Sequence, residues 1–249
     1  MAIVAIGLSS CDSDRDDQPN EKDQKVLLSK RTEIVYINGV PNIETMTFEY
    51  DSDNRLIKMK NSGGGHAIFE YDESGKPSKS YGFTENNTLT SSSTYEYANG
   101  KLILVKDSYN GSTSIRNYYS YDNNGRLVSI RRCASSNCGG YTYTYVKNNI
   151  DTAIDEDGNN FYMVSYSYDN KKNPYSSIDM HLRISLNEGD NIISENNFVE
   201  EISSRKIKGG AWSQQNKYTY KYKYNEQGYP TEMVDEAYND KTFYEYIIR

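Results

Sequence analysis

FEYDSDNRL (48–56), FEYDESGKP (69–77), YEYANGKL (95–102) and YSYDNNGRL (119–127) are four versions of one phrase. Each sets two aromatic residues two apart, which places both side chains on one face of a β-strand. Each then enters a turn rich in Asn, Asp and Gly and emerges as a second apolar/polar alternation. Weaker versions follow as YTYVKNNI (143–150), YSYDNKKNP (166–174) and YKYNEQGYP (222–230), and the chain ends in YEYIIR (244–249). The second aromatic of each version, at Tyr50, Tyr71, Tyr97, Tyr121, Tyr145 and Tyr168, recurs at spacings of 21, 26, 24, 24 and 23 residues. A gap of 56 then leads to Tyr224, and 22 more residues to Tyr246.

A period near 24 with further turn residues midway, as in NSGGG (61–65) or Asn110-Gly111, makes each unit a β-hairpin. Asn38-Gly39, Asn99-Gly100, Asn110-Gly111 and Asn124-Gly125 supply the positive φ angles of tight hairpin turns. The count predicts about twelve to sixteen antiparallel strands, and a twisted sheet of that size curls, splits or closes on itself. The fold expected is therefore all-β: an antiparallel meander of repeated β-hairpins forming a strongly curved sheet or open barrel. Tyr supplies 25 of the 249 residues, in keeping with half-buried pleated surfaces whose hydroxyls reach water or a partner.

The formal charge of −7 and the absence of a basic stripe argue against a nucleic-acid surface. No apolar run approaches the roughly 20 residues of a transmembrane helix. A membrane-embedded barrel is disfavoured too, because YTYKYKY (218–224) sets Tyr against Thr and Lys where a lipid-facing band requires one apolar face.

The chain divides into three parts. Residues 1–11, MAIVAIGLSSC, end in Leu8, Ser9, Ser10 and Cys11, which resemble the lipobox of bacterial lipoproteins; that resemblance makes Cys11 the lipid anchor and 1–11 the remnant of a signal peptide. No positively charged n-region precedes Ala2, so the translation start is expected upstream. Residues 12–25 carry six acidic and three basic side chains and read as an acidic, disordered tether. Residues 26–249 form one β domain with an irregular insertion at about 173–215, where the period breaks.

Cys133 and Cys138, in CASSNC between two strand-like runs, suggest a cross-strand disulfide at a hairpin end. Free thiols are the alternative; a metal site lacks nearby ligands, since the chain has two histidines, His66 and His181. DEDGNN (155–160) reads as a turn before it reads as a calcium loop. The insertion holds the single tryptophan, Trp212, a candidate ligand-binding platform for a sugar face or an aromatic partner, although a cap over one end of the sheet serves the same sequence.

The sequence lacks the GxSxG, HExxH and Walker patterns, and no catalytic residue, metal site or cofactor is assigned. Carboxylates are plentiful, so a glycosidase pair depends on their separation in space.

The phrase resembles the YD repeat of the RHS family: aromatic, any residue, Tyr, Asp, two residues, Gly, Arg, Leu. YSYDNNGRL matches throughout, Asn54 replaces the glycine in the first version and Ala98 the aspartate in the third. Lipobox, acidic tether and degenerate repeats together resemble Bacteroidetes cell-surface lipoproteins. The resemblance implies a non-catalytic envelope protein, held in the outer membrane by its lipid and facing the cell surface, with the periplasmic side as the alternative. Its partners would be the membrane, through the N-terminal lipid, and a glycan or a protein. A structural or assembly component of an outer-membrane complex is the second expectation, and a glycan-active hydrolase the third.

Overall fold

The computed structural model describes residues 24–111, 113–135, 137–186 and 190–249; Cys11 and almost all of the 12–25 tether lie outside them. Among the described residues sixteen strands run in chain order: β1 Val26–Ile37, β2 Val40–Tyr50, β3 Leu56–Asn61, β4 His66–Tyr71, β5 Pro77–Phe83, β6 Leu89–Ala98, β7 Lys101–Tyr109, β8 Thr113–Tyr121, β9 Leu127–Ala134, β10 Asn137–Val146, β11 Asn149–Asp157, β12 Asn160–Lys172, β13 Asn196–Ile207, β14 Ser213–Tyr224, β15 Pro230–Asp235 and β16 Lys241–Ile248. Each pairs antiparallel with the next, and β16 returns to β1 with Val26 opposite Ile248. The meander is thus a closed barrel. Lys25 and Arg249 exchange backbone hydrogen bonds of 2.7 and 3.0 Å beyond the last ladder pair, so the start of β1 and the end of β16 meet at one end of the barrel.

The repeated phrase builds that end. In YSYDNNGRL, Asp122 Oδ1 accepts the backbone N–H groups of Asn124 and Arg126, and its Oδ2 accepts Arg126 Nε. Asp51 does the same for Asp53 and Arg55, and Asp72 for Ser74 and Lys76 through the backbone. The fourth turn position requires the left-handed region: Gly75 and Gly125 have φ of 81° and 83°, and Asn54 takes the place at 62°.

In four units the second aromatic of the phrase reaches back to the preceding unit. Tyr71, Tyr97, Tyr145 and Tyr246 donate their hydroxyls to the carbonyls of Leu56, Pro77, Leu127 and Pro230, the residues that close the preceding phrases. The basic residue beside each acceptor lies over the same ring: Arg55 over Tyr71, Lys76 over Tyr97 and Arg126 over Tyr145, at 5.0 to 5.4 Å. Each of these four repeats is therefore fastened to the one before it, whereas the Tyr121 hydroxyl makes no such bond among the described residues.

The ladders carry a bulge at these tyrosines. Glu49 pairs with Lys58 but Tyr50 with Leu56, and the same skip follows Glu70, Glu96, Ser120, Thr144 and Lys223. A bulge bends its strand and increases the twist, so repeating it at the same height turns the sheet continuously toward closure.

Alternation then sorts the two faces. Phe48, Tyr50, Phe69, Tyr119 and Tyr143 are buried in the lumen together with Leu56, Leu102, Leu127 and Ile150. The intervening residues face water and pair across strands, as Lys30 with Glu245 at 2.8 Å, Glu49 with Lys58 at 3.3 Å, and Glu200 with Lys217 at 2.6 Å. The apolar core is inside the barrel, and the outer wall is lined with charges.

Within the stretch 173–215 the chain leaves the sheet for residues 173–195 and rejoins it as β13. This plug carries one short helix, α1 Met180–Leu186, and a 3-10 turn at Asp190–Ile193. Tyr175, Ile178, Leu182, Ile184, Ile192 and Ile193 pack into the luminal core. Arg31 Nη1 on β1 donates to Tyr175 Oη at 2.5 Å, Tyr95 on β6 bonds Ser185 Oγ at 3.1 Å, and Ser194 Oγ accepts the N–H of Ile150 on β11. Polar contacts on three widely separated strands fix the plug across the lumen.

Candidate functional site

The plug fills the lumen at the end where β1 starts and β16 ends and leaves a cavity above it, of about 550 Å³. Five consecutive strands contribute inward-facing residues: Ser93 on β6, Asp107 and Tyr109 on β7, Asn117 and Tyr119 on β8, Ile130 and Arg132 on β9, and Tyr141 and Tyr143 on β10. The pairs are two apart because residues i and i+2 share a face. The floor is the plug itself, through Arg183, Ile184, Ser185, Leu186 and Ile193. Tyr109 and Tyr141, both 41% exposed, stand at the rim beside the exposed Arg132, so the mouth opens at the opposite end of the barrel.

The chemistry is mixed. Tyr141 and Tyr143 lie nearly parallel, their ring centroids 6.5 Å apart. Asn117 Nδ2 donates to Asp107 Oδ2 at 2.7 Å, which orients that carboxylate. Burial pushes the Tyr119 hydroxyl well above the usual tyrosine range, with the Asp107 and Tyr95 charges adding to the effect, so it stays a neutral donor. Arg183 is 8% exposed and donates from Nη1 to the carbonyl of Ile192 at 2.8 Å. Burial lowers its pKa to about 10, against the attraction of Asp179. Among the described residues that line the cavity, Asp107 is the one carboxylate. Among the described residues, no three His, Cys, Asp or Glu side chains converge as metal ligands.

Cys133 and Cys138 face each other on β9 and β10 and are joined by a disulfide, near the mouth that Arg132 borders. Trp212 sits in the β13–β14 connection, with Lys206 Nζ 4.5 Å from its ring centroid, and does not line the cavity. His181 is in the plug, with Nδ1 3.2 Å from Asp179 Oδ1, and His66 stacks on Phe83.

Sequence reasoning passed over Asp107, Asn117, Arg132 and Arg183. For Asn117 the signal was present as the same-face position two before the aromatic pair Tyr119 and Tyr121, whereas Asp107 and Arg132 lie on strands that carry no such pair. Arg183 gave no such signal, because periodicity does not place an insertion.

The class this architecture defines is a closed, antiparallel β-barrel with an internal plug. A porin-like protein from Bacteroides uniformis has a similar fold: 14% identity, 88% of this chain and 98% of that chain covered, TM-score 0.59. A porin-like protein from Bacteroides vulgatus aligns over 90% and 99% at 11% identity with a TM-score of 0.43. The TcdB2-TccC3-Cdc42 structure aligns over 86% of this chain and 14% of that chain at 12% identity with a TM-score of 0.33. The first of these likenesses concerns the fold alone. No family model and no curated protein matches the sequence.

Proposed function

We propose that this protein is a non-catalytic binding module of the bacterial envelope and that it holds a saccharide in its luminal cavity. The observation that carries the reading is the cavity itself, whose volume lies within the roughly 300–1,000 Å³ range of small-ligand sites. The exposed Tyr141 ring suits an apolar sugar face, and the Asp, Asn, Ser and Tyr groups of the lining suit hydroxyls.

The charged outer wall supports a barrel that stands in water and is held to the membrane through the lipid on Cys11, and not one embedded in a bilayer. The tether would enter at the plugged end, and the mouth would then point away from the membrane, accessible from outside the cell. A hydrolase fits less well, because glycosidases use two carboxylates and the described lining offers Asp107 alone.

The reading is tested by calorimetric titration of neutral and charged oligosaccharides into wild type, Tyr141→Ala and Trp212→Ala. Luminal binding predicts that Tyr141→Ala loses affinity and Trp212→Ala keeps it; the reverse pattern moves the site to the β13–β14 loop.

One observation favours the second reading, a docking or assembly role. Beyond Ile34 and Thr45 the β1–β2 hairpin runs past its neighbours and exposes Val35, Ile37, Val40 and Ile43 at 39%, 57%, 67% and 56%. Apolar surface of this kind marks protein contacts. Cross-linking on intact cells with wild type and Ile43→Lys separates the two readings.

A further inference from the structure

Resting on the luminal binding site proposed above, we infer that its ligand is an anionic saccharide whose carboxylate or sulfate is received by Arg183 and Arg132.

Arg183 carries the argument. The plug brings a guanidinium into the lumen, where it is more than nine-tenths buried. Its one hydrogen bond to the described residues goes from Nη1 to a carbonyl, and Nε is buried with no partner among them. The charge of Asp179, which lies against His181 at 3.2 Å, acts on Arg183 without a direct contact. Burying a cation without a directly paired counter-charge is costly, and replacing it by an apolar side chain of similar size removes that cost. A residue kept against that cost, at the floor of a cavity, is accounted for by a ligand that brings the negative charge.

Arg132 approaches the same space from β9, so the described lining holds two cations against the single carboxylate of Asp107, which is already engaged by Asn117. The guanidinium fork matches the paired oxygens of a carboxylate or sulfate. The volume of about 550 Å³ greatly exceeds what a lone ion needs, and the exposed Tyr141 at the rim adds aromatic surface that an inorganic ion does not use. Charge, size and aromatic surface together select a sugar that bears an anion.

The experiment titrates the folded protein with digalacturonate, its methyl ester and a sulfated chondroitin disaccharide. The ester keeps the sugar backbone and removes the charge. Saturable binding of the acid, the sulfated sugar or both is expected, with the ester weaker by roughly 10- to 100-fold. Preference between acid and sulfate identifies which anion the site receives. Arg183→Met should weaken binding by a similar factor while leaving the ligand-free melting temperature unchanged or higher, an outcome that a purely structural arginine would not give. Arg132→Ala, at the rim, should weaken binding with no change in melting temperature, and it decides the matter together with the ester if Arg183→Met fails to fold. Equal affinity for acid and ester, or binding indifferent to both arginines, overturns the inference and leaves luminal saccharide binding standing. Binding by no member of the panel overturns both.

Discussion

Asp169 Oδ1 accepts the backbone N–H of Asn197 at 3.2 Å, across 28 residues, and the N–H of Lys171 at 2.9 Å. In the intact repeats the same two bonds come from residues two and four further on, as Asn124 and Arg126 give them to Asp122. The plug is therefore an insertion within one turn of the repeat: the chain leaves the sheet after Lys172, crosses the lumen, and Asn197 returns to the place that Arg126 holds. Phe198 then takes the closing position, and its carbonyl accepts the hydroxyl of Tyr222 where Tyr224 would be expected, while Tyr224 bonds Asp169. Asn197 stands 28 residues after Asp169 where Arg126 stands 4 after Asp122, so the insertion lengthens the repeat by 24 residues, and the long β13–β14 hairpin supplies the rest of the gap of 56.

Asp169→Ala should consequently cost more than Asp122→Ala. It removes the acceptor of two backbone donors, of the Tyr224 hydroxyl and of Asn197, which is 2% exposed. A loss of about 2–3 kcal/mol is expected, because the removed bonds were to a charged group. Urea denaturation of the two variants checks it, and an equal or smaller loss for Asp169→Ala would remove the plug's anchoring role.

The reach-back of each tyrosine gives an internal control. Tyr145 donates to Leu127 at 2.7 Å, whereas the buried hydroxyl of Tyr121 has no partner among the described residues. Tyr145→Phe should cost about 1 kcal/mol, a fall in Tm of roughly 2–4 °C. Tyr121→Phe should be neutral or stabilising, since it deletes a buried group that is unsatisfied. Paired thermal melts decide, and a fall for both variants would contradict the assignment.

Turn chemistry predicts another asymmetry. Gly125 at φ 83° forces any side chain into the left-handed region, so Gly125→Ala should destabilise by about 1–2 kcal/mol. Asn54 occupies the same turn position at φ 62°, and its Oδ1 has no hydrogen-bond partner among the described residues, so Asn54→Gly should be neutral or slightly stabilising. Chemical denaturation midpoints read both.

The plug has a pH limit at the acid side. Burial raises the Asp179 pKa, but the bond and charge of His181 and the N–H groups of Leu182 and His181 overcome this and hold it below the ordinary value. A depressed carboxylate stabilises the fold above its unfolded pKa of about 3.9, and the contribution is lost as pH falls through the lower folded value. Melting temperature should therefore drop below about pH 4, and Asp179→Asn should flatten that limb relative to wild type. An identical acid profile in the variant would place the loss elsewhere.

The repeat made the all-β meander legible, and it did so for reasons the structure makes explicit. The tyrosine, aspartate, glycine, basic residue and closing leucine each hold one local contact, and contacts within a turn or between adjacent hairpins are written in adjacent sequence. The cross-strand placement of Cys133 and Cys138 was legible on the same ground. What tertiary structure alone decided is long-range. Closure depended on the pairing of Val26 with Ile248, at opposite ends of the chain, and on bulges whose curvature accumulates only when all are in place. The alternation could not say which face was the core, because tyrosine serves a wet surface as well as a lumen. Whether the insertion lay outside as a cap or inside as a plug was fixed by apolar burial against strands far away in sequence, and that choice alone brings Arg183 to the floor of the cavity.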